Sequence, residues 1–221
     1  MMKQTKKRIV TDLVLMIIMT LIAFTSLLNL NKNGVSIAGV STIIGAALFF
    51  IMIRRNKRLG YGIGLSGKTF IQDIKNNWLF IIMPSLINVI CIAVSKIILP
   101  DYVEHVIGRT DSVISFHEIL LMTIQFIVFA FVEEIAWRGF LQKTMKLYTN
   151  SIISIIITSA VFAIGHAAQG DIAIVTYDVF FVFCNSIFYG LVFDKSKNAY
   201  ASAVSHFLAN LSGALILLYM I

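Results

Sequence analysis

The sequence predicts an all-α fold, a polytopic transmembrane helical bundle of about seven helices, or eight with a short or re-entrant one. Three observations predict it. Of the 221 residues, 58% are hydrophobic and 13% charged, against roughly 45–50% and about 25% in a soluble domain. Mean hydropathy is +0.89, more apolar surface than a water-soluble fold of this size can hide. The apolar residues also come in stretches of about 20, the length that crosses about 30 Å of hydrocarbon. These stretches continue to Ile221, so the excess is not expected to be a cleaved leader.

Seven spans follow in order, near residues 9–29, 36–53, 77–99, 116–141, 151–168, 172–193 and 199–220. Together they are expected to form one integral membrane domain over 1–221. The second span is short, and the stretch 54–75 after it is the longest connection. Its glycine-punctuated run 59–65 has no strand before it and no GK[ST] after it, which argues against a phosphate loop and for a flexible or interfacial connector. No internal repeat, low-complexity tract or separate soluble domain is visible. Cys91 and Cys184 both fall in apolar spans with no paired framework, and read as reduced core thiols.

The net charge of +7 would suggest nucleic-acid binding if the basic residues lay on a soluble domain, but they lie in the loops between spans. Most of the 18 Lys and Arg occupy alternate connections: Lys3, Lys6, Lys7 and Arg8; Arg54, Arg55, Lys57, Arg58, Lys68 and Lys75; Lys143 and Lys146; Lys195 and Lys197. The opposite loops hold little beyond Lys32 and Arg109, the latter among Asp101, Glu104, Asp111 and Glu118. Cytoplasmic loops keep an excess of Lys and Arg. The expected placement is therefore a multi-pass protein of the cell membrane, with the N-terminus cytoplasmic.

Ionisable side chains inside a membrane span cost a few kcal/mol each on insertion scales, so they face a bundle interior or a cavity and mark function. Here they concentrate in the last four spans. The fourth holds Glu133, Glu134, Trp137 and Arg138, the fifth ends on Phe162 and His166, and the seventh carries His206 and Asn210. Residues four apart share a helix face, so Glu134 can pair with Arg138, and His206 and Asn210 can address one point. Glu133 is turned about 100° from Glu134, which makes the two carboxylates inequivalent. Glu133 and His166 are equidistant from the turn at Thr149 and Asn150, and Glu133 and His206 both lie about 15 Å from a lysine, Lys143 and Lys197. Glu133, His166 and His206 are thus expected at one depth, in a site opening toward the cytoplasm.

The strings Glu133-Glu134-x-x-x-Arg138, Phe162-x-x-x-His166 and His206-x-x-x-Asn210, in that order on successive helices, resemble the motifs of the CPBP (Abi) family of intramembrane endopeptidases. That family includes type II CAAX prenyl endopeptidases and bacterial relatives linked to bacteriocin self-immunity and peptide processing. The resemblance covers roughly 116–215 as a catalytic core. It implies that Glu133 and His166 hold and activate a hydrolytic water, that His206 and Asn210 stabilise the oxyanion, and that Glu134 and Arg138 order the site. The chemistry agrees: a carboxylate in apolar surroundings suits a general base, and an amide and an imidazole N–H are donors for a developing oxyanion.

Other readings of the same residues stay open at this point. Glu134 and Arg138 can be an intrahelical ion pair with no direct part in chemistry. His166, between Gly165 and Ala167, would also suit a close helix crossing. Asp178 and Asn185 share a face of the sixth span and can either line the cavity or make interhelical hydrogen bonds. Trp137 reads as packing or an interface anchor. No cofactor is certain. A divalent metal such as zinc would fall to Glu133, His166 and His206, although there is no HExxH helix.

The expected partners are membrane lipid and a peptide or lipidated-protein substrate, with no nucleic acid; oligomeric state is not legible. The leading expectation is an endopeptidase acting on a membrane-associated protein or peptide precursor, in a CAAX-protease-like manner or in bacteriocin processing or self-immunity. The alternative is an immunity protein that grips its partner without hydrolysis. A proton-coupled transporter is disfavoured by the missing inverted repeat.

Overall fold

The computed structural model describes residues 2–28, 37–57, 64–110 and 118–220. Among them the chain is helical, without strands. Helix α1 is Met2–Phe24 with a 3₁₀ turn at Thr25–Leu28, and α2 is Ile37–Lys57. Helix α3 is Phe70–Ile98 and the short α4 is Tyr102–Thr110. Helix α5, Ile119–Glu134, runs on through a π-helical stretch Ile135–Gln142 into a last turn at Lys143–Met145. Helices α6 (Ser151–Gly165), α7 (Ile172–Ser196) and α8 (Ala199–Met220) complete the bundle.

The expected all-α membrane bundle is what forms, because helices satisfy every backbone group within the segment where the bilayer offers no water. Seven of these helices answer the seven expected spans, and α4 is the short eighth. Five are long and apolar enough to cross a membrane, those over Val10–Leu27, Phe70–Ile98, Ile119–Met145, Ile172–Ser196 and Ala199–Tyr219; Val40–Arg54 and Ser151–Gly165 are shorter apolar helices. Boundaries differ from the expectation in two places. Helix α3 begins at Phe70 rather than near 77, its first turn carrying Asp73, and α6 stops at Gly165, so that His166 caps it instead of lying inside it. Lys32, Asp111 and most of the glycine run 59–65 lie outside the described residues.

The centre of the bundle is the second half of α5. All residues of the π-helical stretch are buried. Trp137, Phe140 and Leu141 pack with Met19 of α1, Phe49 of α2 and Phe162 of α6 in the largest apolar cluster. Gly139 makes this possible, since a Cβ there would stand 2.8 Å from the Phe49 ring. Trp137 is a core residue and not an interface anchor: it is 1% exposed, and its Nε1 faces Thr42 Oγ1 at 3.4 Å. Helix α8 packs on α3, α5 and α7 through small residues, Ala201, Ser202, Ser205 and Ala209, that let backbones approach closely.

The α7–α8 turn is stapled from the side. Lys197 takes a left-handed conformation (φ 57°) to end α7. The fully buried Asn198 donates to Ser66 O (2.7 Å) and Asp73 Oδ2 (2.8 Å), while its Oδ1 accepts from Ser66 N (3.1 Å). That staple sets the level of α7 against α8, and so the level of the polar residues they carry.

Candidate active site

Glu134 and Arg138 form the buried base of the site. Neither side chain is exposed, and Arg138 Nη1 donates to Glu134 Oε1 at 2.9 Å. Two uncompensated charges at this depth would cost several kcal/mol each. Arg138 is also held by α7, its Nη2 donating to Ser186 Oγ (2.6 Å) and Ser186 O (2.9 Å). The guanidinium also lies over two aromatic rings, 4.8 Å from the centroid of Phe162 and 5.2 Å from that of Tyr189.

The same Glu134 oxygen reaches α8. His206 Nδ1 stands 3.0 Å from Glu134 Oε1, and because a carboxylate accepts, Nδ1 carries the donated proton. His206 Nε2 then points at Glu133, 3.6 Å from Oε2. From the end of α6, His166 Nε2 approaches the same Oε2 at 4.0 Å. His166 Nδ1 lies 2.8 Å from Phe162 O. A carbonyl only accepts, so this bond puts the proton on Nδ1 and leaves the Nε2 lone pair facing Glu133.

Five of the six residues singled out from the sequence therefore meet. Glu134 is the buried member and Glu133 the accessible one, 0% and 18% exposed; His166 is 22% exposed and His206 6%. Asn210 lies one helical turn beyond His206 on α8, half-buried, with no hydrogen bond to a described residue. Asp178 and Asn185 do not join the set. Asp178 Oδ1 accepts from Tyr102 OH at 3.2 Å, and Asn185 Nδ2 donates to Asn88 Oδ1 at 2.7 Å, so both tie α7 to neighbouring helices.

Ser186 and Tyr189 went unnoticed in the sequence. Tyr189 is 2% exposed, and its ring stacks on His206 at 4.5 Å between centroids and 16° between planes. A signal was available: Tyr189 and His206 are equidistant from the turn at Lys197 and Asn198, as Glu133 and His166 are from theirs.

What this geometry can do is hold one small molecule between a carboxylate and an imidazole. Glu133 Oε2 and His166 Nε2 are too far apart for a direct hydrogen bond and close enough for one oxygen to touch both at about 2.8 Å. The arrangement resembles what a hydrolase needs. Residues 115–212 match the Rce1-like family model, described as type II CAAX prenyl endopeptidase Rce1-like. The Rce1-like segment starts just before α5 and ends within α8, so it contains Glu133, Glu134, Arg138, His166, His206 and Asn210, and leaves α1 to α4 outside. No curated protein and no solved structure matches the chain.

Among the described residues no three His, Cys, Asp or Glu side chains are grouped so as to hold a metal ion. Glu133, His166 and His206 converge, but as a carboxylate faced by two imidazoles at 3.6 and 4.0 Å rather than as a ligand shell.

Proposed function

We propose that this chain is an intramembrane endopeptidase in which Glu133 activates water. The observation that carries the reading is the convergence of His166 Nε2 and His206 Nε2 on one oxygen of Glu133, inside a segment that matches the CAAX endopeptidase family. In this reading a water held between Glu133 Oε2 and His166 Nε2 gives its proton to Glu133 as its oxygen attacks the scissile carbonyl. Asn210 and His206 donate to the oxyanion that develops. Because His206 Nδ1 already donates to Glu134, its Nε2 can donate only when the ring carries both protons. That form balances the charges of the site, Glu133 and Glu134 against Arg138 and His206. The proton on Glu133 then passes to the leaving amine.

The substrate class in this proposal is a membrane-associated protein or peptide precursor, with a prenylated CAAX protein as the form named by the family and bacteriocin processing or self-immunity as the bacterial form. The protein is placed in the cell membrane with its N-terminus in the cytoplasm. Where the sequence points to a cytoplasmic opening, we infer a route from the opposite side. Residues 134–142, which lead from Glu133 toward the Lys143 end of α5, are all buried. The exposed edge of Glu133 and His166 favours a route past the His166 end of α6.

The test is turnover of an internally quenched farnesylated peptide ending in a CAAX sequence, with purified protein in detergent, and peptidomics of cells carrying either form. Glu133→Gln is expected to abolish cleavage while melting like the native protein, and to accumulate an uncleaved precursor in cells. Cleavage by Glu133→Gln at the native rate would remove Glu133 as base. Protection of cells that survives Glu133→Gln together with His206→Ala would support non-hydrolytic immunity instead. Turnover is expected to be unchanged in chelator; loss in chelator and recovery with zinc would reinstate a metal.

A further inference from the structure

We propose that Tyr189 of α7 is a positioning residue for His206, holding the imidazole in the plane in which Nε2 meets Glu133. The inference deepens the proteolytic reading and rests on it.

His206 has one hydrogen bond that orients it, from Nδ1 to Glu134 Oε1. A single hydrogen bond fixes the position of one ring atom. That bond holds its strength over a range of N–H···O angles, so by itself it tolerates turns about Cα–Cβ and Cβ–Cγ that carry Nε2 away from Glu133. What removes that freedom is contact with the face of the ring. Tyr189 supplies it, lying nearly parallel to His206 at 4.5 Å, while Phe162 meets His206 edge-on at 5.8 Å and 81°. The phenol is itself immobile, being 2% exposed and one residue from Gly190, whose carbonyl accepts from Gln142 Nε2 at 3.0 Å.

The same ring also faces Arg138. An aromatic face attracts a cation, most strongly away from water. The Tyr189 ring has the Arg138 guanidinium 5.2 Å from its centroid as well as the His206 ring. The positioning role belongs to the ring and not to the hydroxyl, which separates it from direct chemistry by Tyr189.

The experiment compares Tyr189→Phe, Tyr189→Met and Tyr189→Leu, on the farnesylated CAAX peptide and by NMR of protein labelled with ¹⁵N-histidine in detergent. Phe keeps the face and is expected within about threefold of native kcat. Met and Leu fill the space without a planar face and are expected to lose about 10²-fold in kcat with KM little changed, the scale of a misplaced catalytic group. The His206 ring signals are expected to stay in place in Tyr189→Phe and to shift and broaden in Tyr189→Met. Native kcat in a folded Met or Leu variant overturns the proposal, as does a Phe variant that falls as far as Met, which would assign the role to the hydroxyl. Leu decides if Met does not fold. If the native chain cleaves no peptide, the proteolytic reading fails separately: His206 signals that move in Met but not in Phe still support the positioning role, and signals that move in neither overturn it.

Discussion

Glu134 Oε1 accepts from Arg138 Nη1 and from His206 Nδ1, at 2.9 and 3.0 Å, in a place with no exposed surface. Neutralising this carboxylate leaves a buried guanidinium with only Ser186 to satisfy it, and breaking a buried pair in this way costs about 3–5 kcal/mol. Glu133, one residue earlier, is turned to the accessible side. Thermal or denaturant unfolding in detergent is therefore expected to show Glu134→Gln destabilised by that amount and Glu133→Gln close to native. Equal stability of the two variants would mean that the pair is not what holds the base of the site together. The contrast separates two adjacent glutamates, the one holding the base of the site together and the other, in the proposed mechanism, acting on water.

Helices α5 and α7 are joined by three polar rungs, Arg138 to Ser186, Gln142 to Gly190 and Lys146 to Asp194. Each rung steps four residues along both helices, which is how two parallel helices stay in register. The π-helical stretch widens α5 where the first two rungs leave it; such bulges are frequent at functional sites. Close approach at the second rung needs a glycine: a Cβ at Gly190 would meet Gln142 Oε1 at 2.9 Å and Ile155 Cγ2 at 3.0 Å. At Gly165 the same atom would find Ala23 Cβ at 3.6 Å, an ordinary contact. Gly190→Ala is expected to lose about 1–3 kcal/mol by overpacking and to lower activity with it, while Gly165→Ala melts at or slightly above the native temperature. A Gly190→Ala protein as stable as Gly165→Ala would show that α7 moves aside at no cost.

Across the whole molecule, the lysines Lys143, Lys146, Lys195 and Lys197 and the exposed edge of the site lie toward different ends of the bundle. Leu147 sits in the turn between α5 and α6, 59% exposed, and Gln169 in the exposed turn after His166. With the N-terminus in the cytoplasm, a membrane-impermeant thiol reagent is expected to label Leu147→Cys from the cytoplasmic side and Gln169→Cys from the other. Modification of Gln169→Cys is expected to slow turnover, and modification of Leu147→Cys to leave it unchanged. The reverse pattern of inhibition would support the cytoplasmic opening expected from the sequence. Both native cysteines lie within helices, Cys91 buried and Cys184 half-buried, and serve as the unlabelled background.

What the sequence by itself determined is what is local or set by a single turn. The spans follow from length and hydropathy because a bilayer admits only segments that satisfy their own backbone. The Glu134–Arg138 pair follows from the helical repeat, and the meeting of Glu133 with His166 from their equal distance to one hairpin turn. The tertiary structure alone decided which apolar helices are neighbours, and hence the contributions of Ser186, Tyr189 and Gly190 and the placement of Asn185 on Asn88. The reason is physical. In lipid the outward face of a helix is as apolar as its packed face, so no stripe of hydrophobic residues marks the partner helix as it does in water.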